Sequence, residues 1–192
     1  MEDIVLVGFG GHAKSVADCI KRQNKYTIIG YTDFQENASQ YKYLGNDDVL
    51  MDLFCSGVKN AVICLGFLGK GDIRERLYKK LKDIGFTLPI IIDPSAIVSD
   101  DTVIGEGTFI GKNAVINTEA QVGCCCIINT GAIIEHECRV GDFTHVAVNS
   151  VLCGQVKVGK ACLIGANATV IQCMNVPDNK IIAAGDVVRK RE

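Results

Sequence analysis

The sequence predicts two units in tandem: a small open α/β sheet, then a coil of very short parallel strands. Three observations predict it. Apolar runs alternate with helix-patterned stretches as far as residue 92. From Val98 onward every sixth residue is aliphatic, without interruption. Small residues recur at fixed places between those aliphatics, the mark of an internal repeat. The pattern changes at Asp93-Pro94, so the units are expected at 1–94 and 95–192.

The first unit alternates strand and helix. Ile4-Val5-Leu6-Val7 is an apolar run that stops at Gly8, as a buried parallel strand does. Ala13, Val16, Ala17 and Ile20 follow at helical spacing and make one apolar stripe. Thr27 to Tyr31 and Asn60 to Leu65 are further strands. Ile73 to Ile84 is a charged helix with Leu77, Leu81 and Ile84 on its apolar side. Pro89-Ile90-Ile91-Ile92 is expected to close the sheet. A unit this short holds one mononucleotide half, whereas a dinucleotide fold needs two.

The second unit is periodic. Val98, Ile104, Ile110, Ile116 and Val122 begin a series that continues through Ile128, Ile134, Val140, Val146, Leu152, Val158, Ile164, Val170 and Val176. The residue after each is often Gly or Asn, as at Gly105, Gly111, Asn117, Gly123, Asn129, Gly141, Gly159 and Gly165. These are expected to take positive φ at tight corners. The residue four places on is mostly small, as at Thr108, Ala114, Cys126, Ala132, Cys138 and Cys162. One aliphatic and one small inward residue per strand fit a narrow triangular prism. Three hexads make one coil, giving about four and a half coils over 97–176.

Composition narrows the function. The 192 residues carry 20 basic and 22 acidic side chains, a net charge of −2, so no bulk attraction draws the chain to nucleic acid or an anionic membrane. Apolar residues at 48% against 22% charged exclude a disordered chain. No apolar run is long enough for a membrane span. Met1-Glu2-Asp3 leads straight into a strand, unlike a signal peptide, so a cytoplasmic location is expected. The ten cysteines include no Cys-x-x-Cys pair, and Cys124, Cys125 and Cys126 are consecutive. That suits neither zinc nor an orderly bridge set, and it predicts reduced thiols used as small apolar residues.

Several segments, in order, carry a family resemblance. They are Gly8-Phe9-Gly10-Gly11-His12-Ala13-Lys14, Ile92-Asp93-Pro94-Ser95-Ala96, Ile128-Asn129-Thr130-Gly131-Ala132, Glu135-His136-Glu137-Cys138, the stretch from Gly141 to Ala147, and Gly154-Gln155-Val156. With them the chain resembles the hexapeptide-repeat sugar O- and N-acyltransferases, the group of sialic acid O-acetyltransferases and bacillosamine-pathway UDP-amino-sugar N-acetyltransferases. The resemblance implies an α/β half-Rossmann front unit and a left-handed parallel β-helix. It also implies a homotrimer, acetyl-CoA bound as cosubstrate between neighbouring β-helices, a nucleotide-sugar acceptor held by the front unit, and no metal.

The same resemblance assigns residues. His136 is expected as general base and Glu137 as the carboxylate that orients it. His145, Gly154, Ala166 and Ala184 are expected to bind acetyl-CoA, with the Gly154 N–H as oxyanion donor one coil beyond His136. Gly10, Gly11, His12, Thr32, Asp33, Leu65 and Gly66 are expected to form the acceptor pocket.

The residues by themselves leave alternatives. Gly8-x-Gly10-x-x-Ala13, with Asp33 twenty residues later, also fits a dinucleotide fingerprint or a purely structural turn. A β-helical zinc enzyme of the carbonic anhydrase type would need three histidines, and the repeat holds only His136 and His145. A non-catalytic nucleotide-sugar sensor or scaffold is the other competitor. Gly66 to Asp72 is longer and richer in glycine than the family's turn; it is either a sugar contact or a surface loop. The basic end, Arg189-Lys190-Arg191, is either a CoA phosphate contact or a solvated terminus.

Overall fold

The computed structural model describes residues 1–69 and 71–189. Lys70 and residues 190–192, and with them part of the glycine-rich turn and most of the basic end, lie outside the described residues.

The front unit is a parallel sheet of β1 (Glu2–Val7), β2 (Tyr26–Thr32), β3 (Tyr43–Gly45) and β4 (Asn60–Ile63), in the order β3-β2-β1-β4. Its helices are α1 (Gly11–Gln23), α2 (Leu50–Cys55) and α3 (Ile73–Ile84). The unbroken apolar run of β1 is explained by helices on both faces. Ile4 and Leu6 pack with Ala13, Val16 and Ile20 of α1, while Val5 and Val7 pack with Leu77 and Leu81 of α3. Asn24 ends α1 at φ 54° and Gly85 ends α3 at φ 112°, both in the left-handed conformation.

Three features differ from the sequence expectation. β3 and α2 are too short to carry a periodic signal. The segment from Pro89 does not close the front sheet. Among the described residues that sheet's edge meets only Thr87, in a single bridge to Asn60. Ile91–Ile92 (β5) instead pairs with Phe109–Ile110 as the first rung of the coil. Ile92 lies six residues before Val98, so it belongs to the hexad series.

The second unit is a parallel β-solenoid of two-residue strands, stacked into sheets of five, six and six. Each strand pairs in register with the one 18 residues on, as Ile127–Ile128 does with His145–Val146. The coil runs from Ile91 to Val188, further in both directions than 97–176. The expected aliphatics from Ile110 to Val176 are buried in one core, with Val98 and Ile104 packed at its end. Cys126, Cys138 and Cys162 fill inward slots, and all ten cysteines are free. Burial pushes the Cys126 thiol up to about 12 and the Cys138 thiol up to about 11, so both are inert.

The corners are built differently from the expectation. From Ile104 onward, positive φ falls three residues after the inward aliphatic, at Asn113, Glu119, Cys125, Glu137, Asn149 and Gln155, among others. The glycines one residue after the aliphatic serve close approach between coils. A Cβ on Gly105 would lie 2.5 Å from the backbone N of Cys124, and one on Gly141 would lie 2.6 Å from the carbonyl carbon of Gly159.

The front unit covers one of the three solenoid sheets. Ile91, Phe109 and Ile127 point outward from that sheet into the α1 core. Both oxygens of Asp93 accept from Arg22, at 2.7 and 2.9 Å, and Gln23 donates to the Ile92 carbonyl at 2.6 Å. Arg74, buried on α3, donates to the Cys125 carbonyl at 2.6 Å.

Candidate active site

His136 stands at the corner between strands Ile133–Ile134 and Arg139–Val140. This corner is the prism edge opposite the sheet that carries the front unit. The ring is half-exposed, and its Nδ1 lies 3.0 Å from Glu137 Oε2. A carboxylate facing Nδ1 fixes the proton there and leaves Nε2 as a lone pair. Glu137 also accepts from Gln155 Nε2 at 3.0 Å. The bonds from His136, and then from Gln155, hold the Glu137 carboxyl below the usual carboxylate range.

Gly154 lies directly across the ring, as its 18-residue offset predicts. A methyl there would sit 2.6 Å from His136 Cε1 and closer still to Nε2. The Gly154 N–H has no hydrogen-bond partner among the described residues. At some other corners the equivalent N–H is capped by a side chain: Cys124 donates to Asp142, Lys160 to Asp178 and Thr130 to Asn129. The edge at His136 therefore offers an imidazole lone pair and an open N–H donor side by side.

The residues expected at the acceptor pocket gather at the carboxyl ends of β1, β2 and β4, where ligands of open α/β sheets sit. Among the described residues, chain neighbours aside, no group lies within 4 Å of where a Cβ on Gly10 or Gly11 would stand, so the start of α1 is open. Asp33 accepts from the Phe9 N–H at 2.9 Å and the Phe34 N–H at 2.7 Å, fixing the glycine-rich turn. Leu65 packs under Gly8. Beside them lies a cleft of about 280 Å³ lined by Gly8, Asp33, Asp47 and Leu65, among others. Thr32 is fully buried and donates its hydroxyl to Asp47 at 2.7 Å, so it supports the cleft wall from behind.

His12 lies deeper, near Gly66, edge-on to Phe109 with ring centroids 5.2 Å apart. Its Nε2 is buried without a partner among the described residues. Burial, then the positive charge of Arg74 and the neighbouring His145, push its pKa down to about 3. His145 faces the same junction. It donates from Nδ1 to the Phe67 carbonyl at 2.7 Å, and its Nε2 lies 3.2 Å from Asn129 Nδ2. Burial holds His145 below the usual imidazole range. The glycine-rich turn thus lies on the solenoid: Phe67 is buried, and Gly69 presses on Ile181.

Sequence reasoning missed Asn129, Phe67, Arg74 and Gln155. Gln155 had a signal, because it stands 18 residues after Glu137. Phe67 and Arg74 had none, since nothing periodic links the front unit to the coil.

The expected site residues do not all meet within one chain. Ala166 and Ala184 stack on each other, with the Gly185 N–H donating to the Ala166 carbonyl at 2.8 Å, but at a different prism edge from His136 and Gly154. Between those two edges runs one sheet whose outward residues are Ile97, Val115, Ile133, Val151, Thr169 and Val187. This face is apolar, with Ile97 66% and Val187 56% exposed. The imidazole of His136 stands apart from those of His12 and His145, and no group of three or more metal-ligating side chains forms among the described residues.

Comparison with known proteins fits this arrangement. A structure of a perosamine N-acetyltransferase variant from Caulobacter crescentus, in complex with CoA and GDP-perosamine, superposes with a TM-score of 0.93. The two are 31% identical over 99% of this chain and 90% of that one. The chain belongs to the hexapeptide-repeat sugar acyltransferases. Its solenoid is the left-handed β-helix of that family. Residues 3–81 match the family model described as the PglD N-terminal domain. The acetyltransferase domain of PglB from Neisseria gonorrhoeae aligns at 26% identity and a TM-score of 0.91, over 98% of this chain and 92% of that one. A UDP-N-acetylbacillosamine N-acetyltransferase of Bacillus subtilis is 33% identical over 117 residues, which is 57% of this chain and about half, 51%, of that relative. No helix among the described residues is long and apolar enough to cross a membrane.

Proposed function

We propose that the protein transfers an acetyl group from acetyl-CoA to the amino group of a nucleotide-linked sugar, with residues 1–94 holding the acceptor and 95–192 the donor. The observation that carries this reading is the His136–Glu137 pair facing the open N–H of Gly154. The sugar nitrogen attacks the thioester carbonyl as His136 Nε2 takes its proton. Glu137 steadies the imidazolium that forms. The tetrahedral oxyanion accepts from Gly154, and its collapse expels the CoA sulfur, which recovers a proton from His136. No acyl-enzyme forms, which agrees with thiols pushed up by burial. A related perosamine N-acetyltransferase is seen in complex with CoA and GDP-perosamine, and another relative is named as a UDP-N-acetylbacillosamine N-acetyltransferase, which favours nitrogen over oxygen as the acceptor atom.

The working unit in this reading is a homotrimer in the cytoplasm. The apolar face between the His136 edge and the Ala166–Ala184 edge supports it, because a second chain on that face joins the two edges. Acetyl-CoA then runs between chains past Ala166 and Ala184, and His145 serves the donor side by holding the Phe67 loop. Ten free thiols fit a reducing compartment. The test is release of CoA thiol with a panel of GDP- and UDP-amino sugars, comparing wild type with His136→Ala. A fall in kcat of about 10²–10⁴-fold with little change in the KM for acetyl-CoA is expected. Unchanged turnover in the variant would remove His136 from the chemistry.

A further inference from the structure

We infer that Gln155 is a positioning residue for catalysis, acting through Glu137. The inference rests on His136 as the base and adds a third group to the pair. Glu137, Gln155 and Cys173 occupy the same corner position on three successive coils, each with φ near 60°. The backbone holds them in one column: the Gln155 N–H donates to the His136 carbonyl at 2.9 Å, and the Cys173 N–H donates to the Gly154 carbonyl at 3.0 Å.

Their side chains continue the column. Cys173 Sγ lies 3.3 Å from Gln155 Oε1, Gln155 Nε2 lies 3.0 Å from Glu137 Oε2, and the same oxygen lies 3.0 Å from His136 Nδ1. The thiol donates to the amide oxygen, which turns the amide nitrogen toward the carboxylate. Glu137 by itself is a half-exposed side chain on a left-handed corner, with rotamers that water would populate freely. Its Oε2 is bound from both sides, by the imidazole on its own coil and the amide on the next. Gln155 therefore fixes the carboxylate, and through it the Nδ1 proton and the aim of Nε2.

The test is a double-mutant cycle in kcat with purified full-length chain. Gln155→Leu removes the amide at nearly constant volume and is expected to lower kcat about tenfold, as loss of a hydrogen bond to a charged group does. The KM for acetyl-CoA should hold, as should the melting temperature. Glu137→Ala combined with Gln155→Leu should be no slower than Glu137→Ala alone, because Gln155 acts only through Glu137. Cys173→Ala should give a smaller loss in the same direction. A Gln155→Leu enzyme with wild-type kcat, or a loss that multiplies fully with that of Glu137→Ala, overturns the inference. If Gln155→Leu keeps wild-type kcat while His136→Ala is inactive, only the Gln155 role fails. If His136→Ala is fully active, the reading beneath it fails as well.

Discussion

Gly154 and His136 test how much a single atom matters at this site. The imidazole rests against the Cα of Gly154, so adding one methyl must push the ring off its position. The φ of Gly154 is not in the left-handed region, so alanine brings no backbone strain. Gly154→Ala should therefore fold with nearly wild-type melting temperature and lose about a hundredfold in kcat, the scale of an ångström-sized misplacement. Equal kcat in this variant would show that the ring need not sit there. His12 makes a different prediction. Its folded pKa of about 3 lies below the ordinary imidazole value of 6.5, so the unfolded chain binds the extra proton. The stability due to neutral His12 is complete above about 6.5 and drains away as pH falls toward 3. Urea midpoints taken at pH 7 and pH 4.5 should fall further for wild type than for His12→Leu. Parallel losses in the two proteins would mean that His12 is not held neutral.

At the scale of elements, the coil was legible because its period repeats many times in one chain. The same phase, carried one step back to Ile92 and two steps on to Ile182 and Val188, would have found its true ends. The corners were legible only in part. Sequence marks where a small residue stands, but close approach and positive φ both select glycine. The structure separates them, and the separation is measurable. Gly141→Ala should cost about 1–3 kcal/mol from overpacking against the next coil. Asn149→Gly, at φ 55°, should be neutral or mildly stabilising because its backbone already sits where glycine is at ease. Reversed thermal shifts in the two variants would restore the simpler reading of the corners. The stacking of His136 and Gly154 at the candidate edge was legible by the same arithmetic, since 136 and 154 differ by one coil. The junction was not. The partner of His145 is a carbonyl 78 residues away, and Arg74 reaches a carbonyl 51 residues away, with no shared period to announce either.

For the whole molecule the central fact is separation. The front unit covers one sheet of the prism, and His136 stands on the edge opposite that sheet. A single chain cannot bring an acceptor at α1 to the imidazole. A neighbour seated on the apolar face between the edges can, so in the proposed trimer each site takes its base from one chain and its front unit from another. This can be tested by complementation. Gly11→Trp fills the open space at the start of α1 and should block the acceptor without disturbing the coil. His136→Ala removes the base and leaves the front unit intact. Each protein alone should be nearly inactive. Unfolded together at equal amounts and refolded, they should assemble at random, and about a quarter of the sites should combine an intact base with an intact front unit. Activity should therefore rise to about a quarter of wild type, with light scattering reporting three chains per particle. If the base and front unit of each site came from the same chain, the mixture would stay as inactive as its parts, because every chain carries one defect.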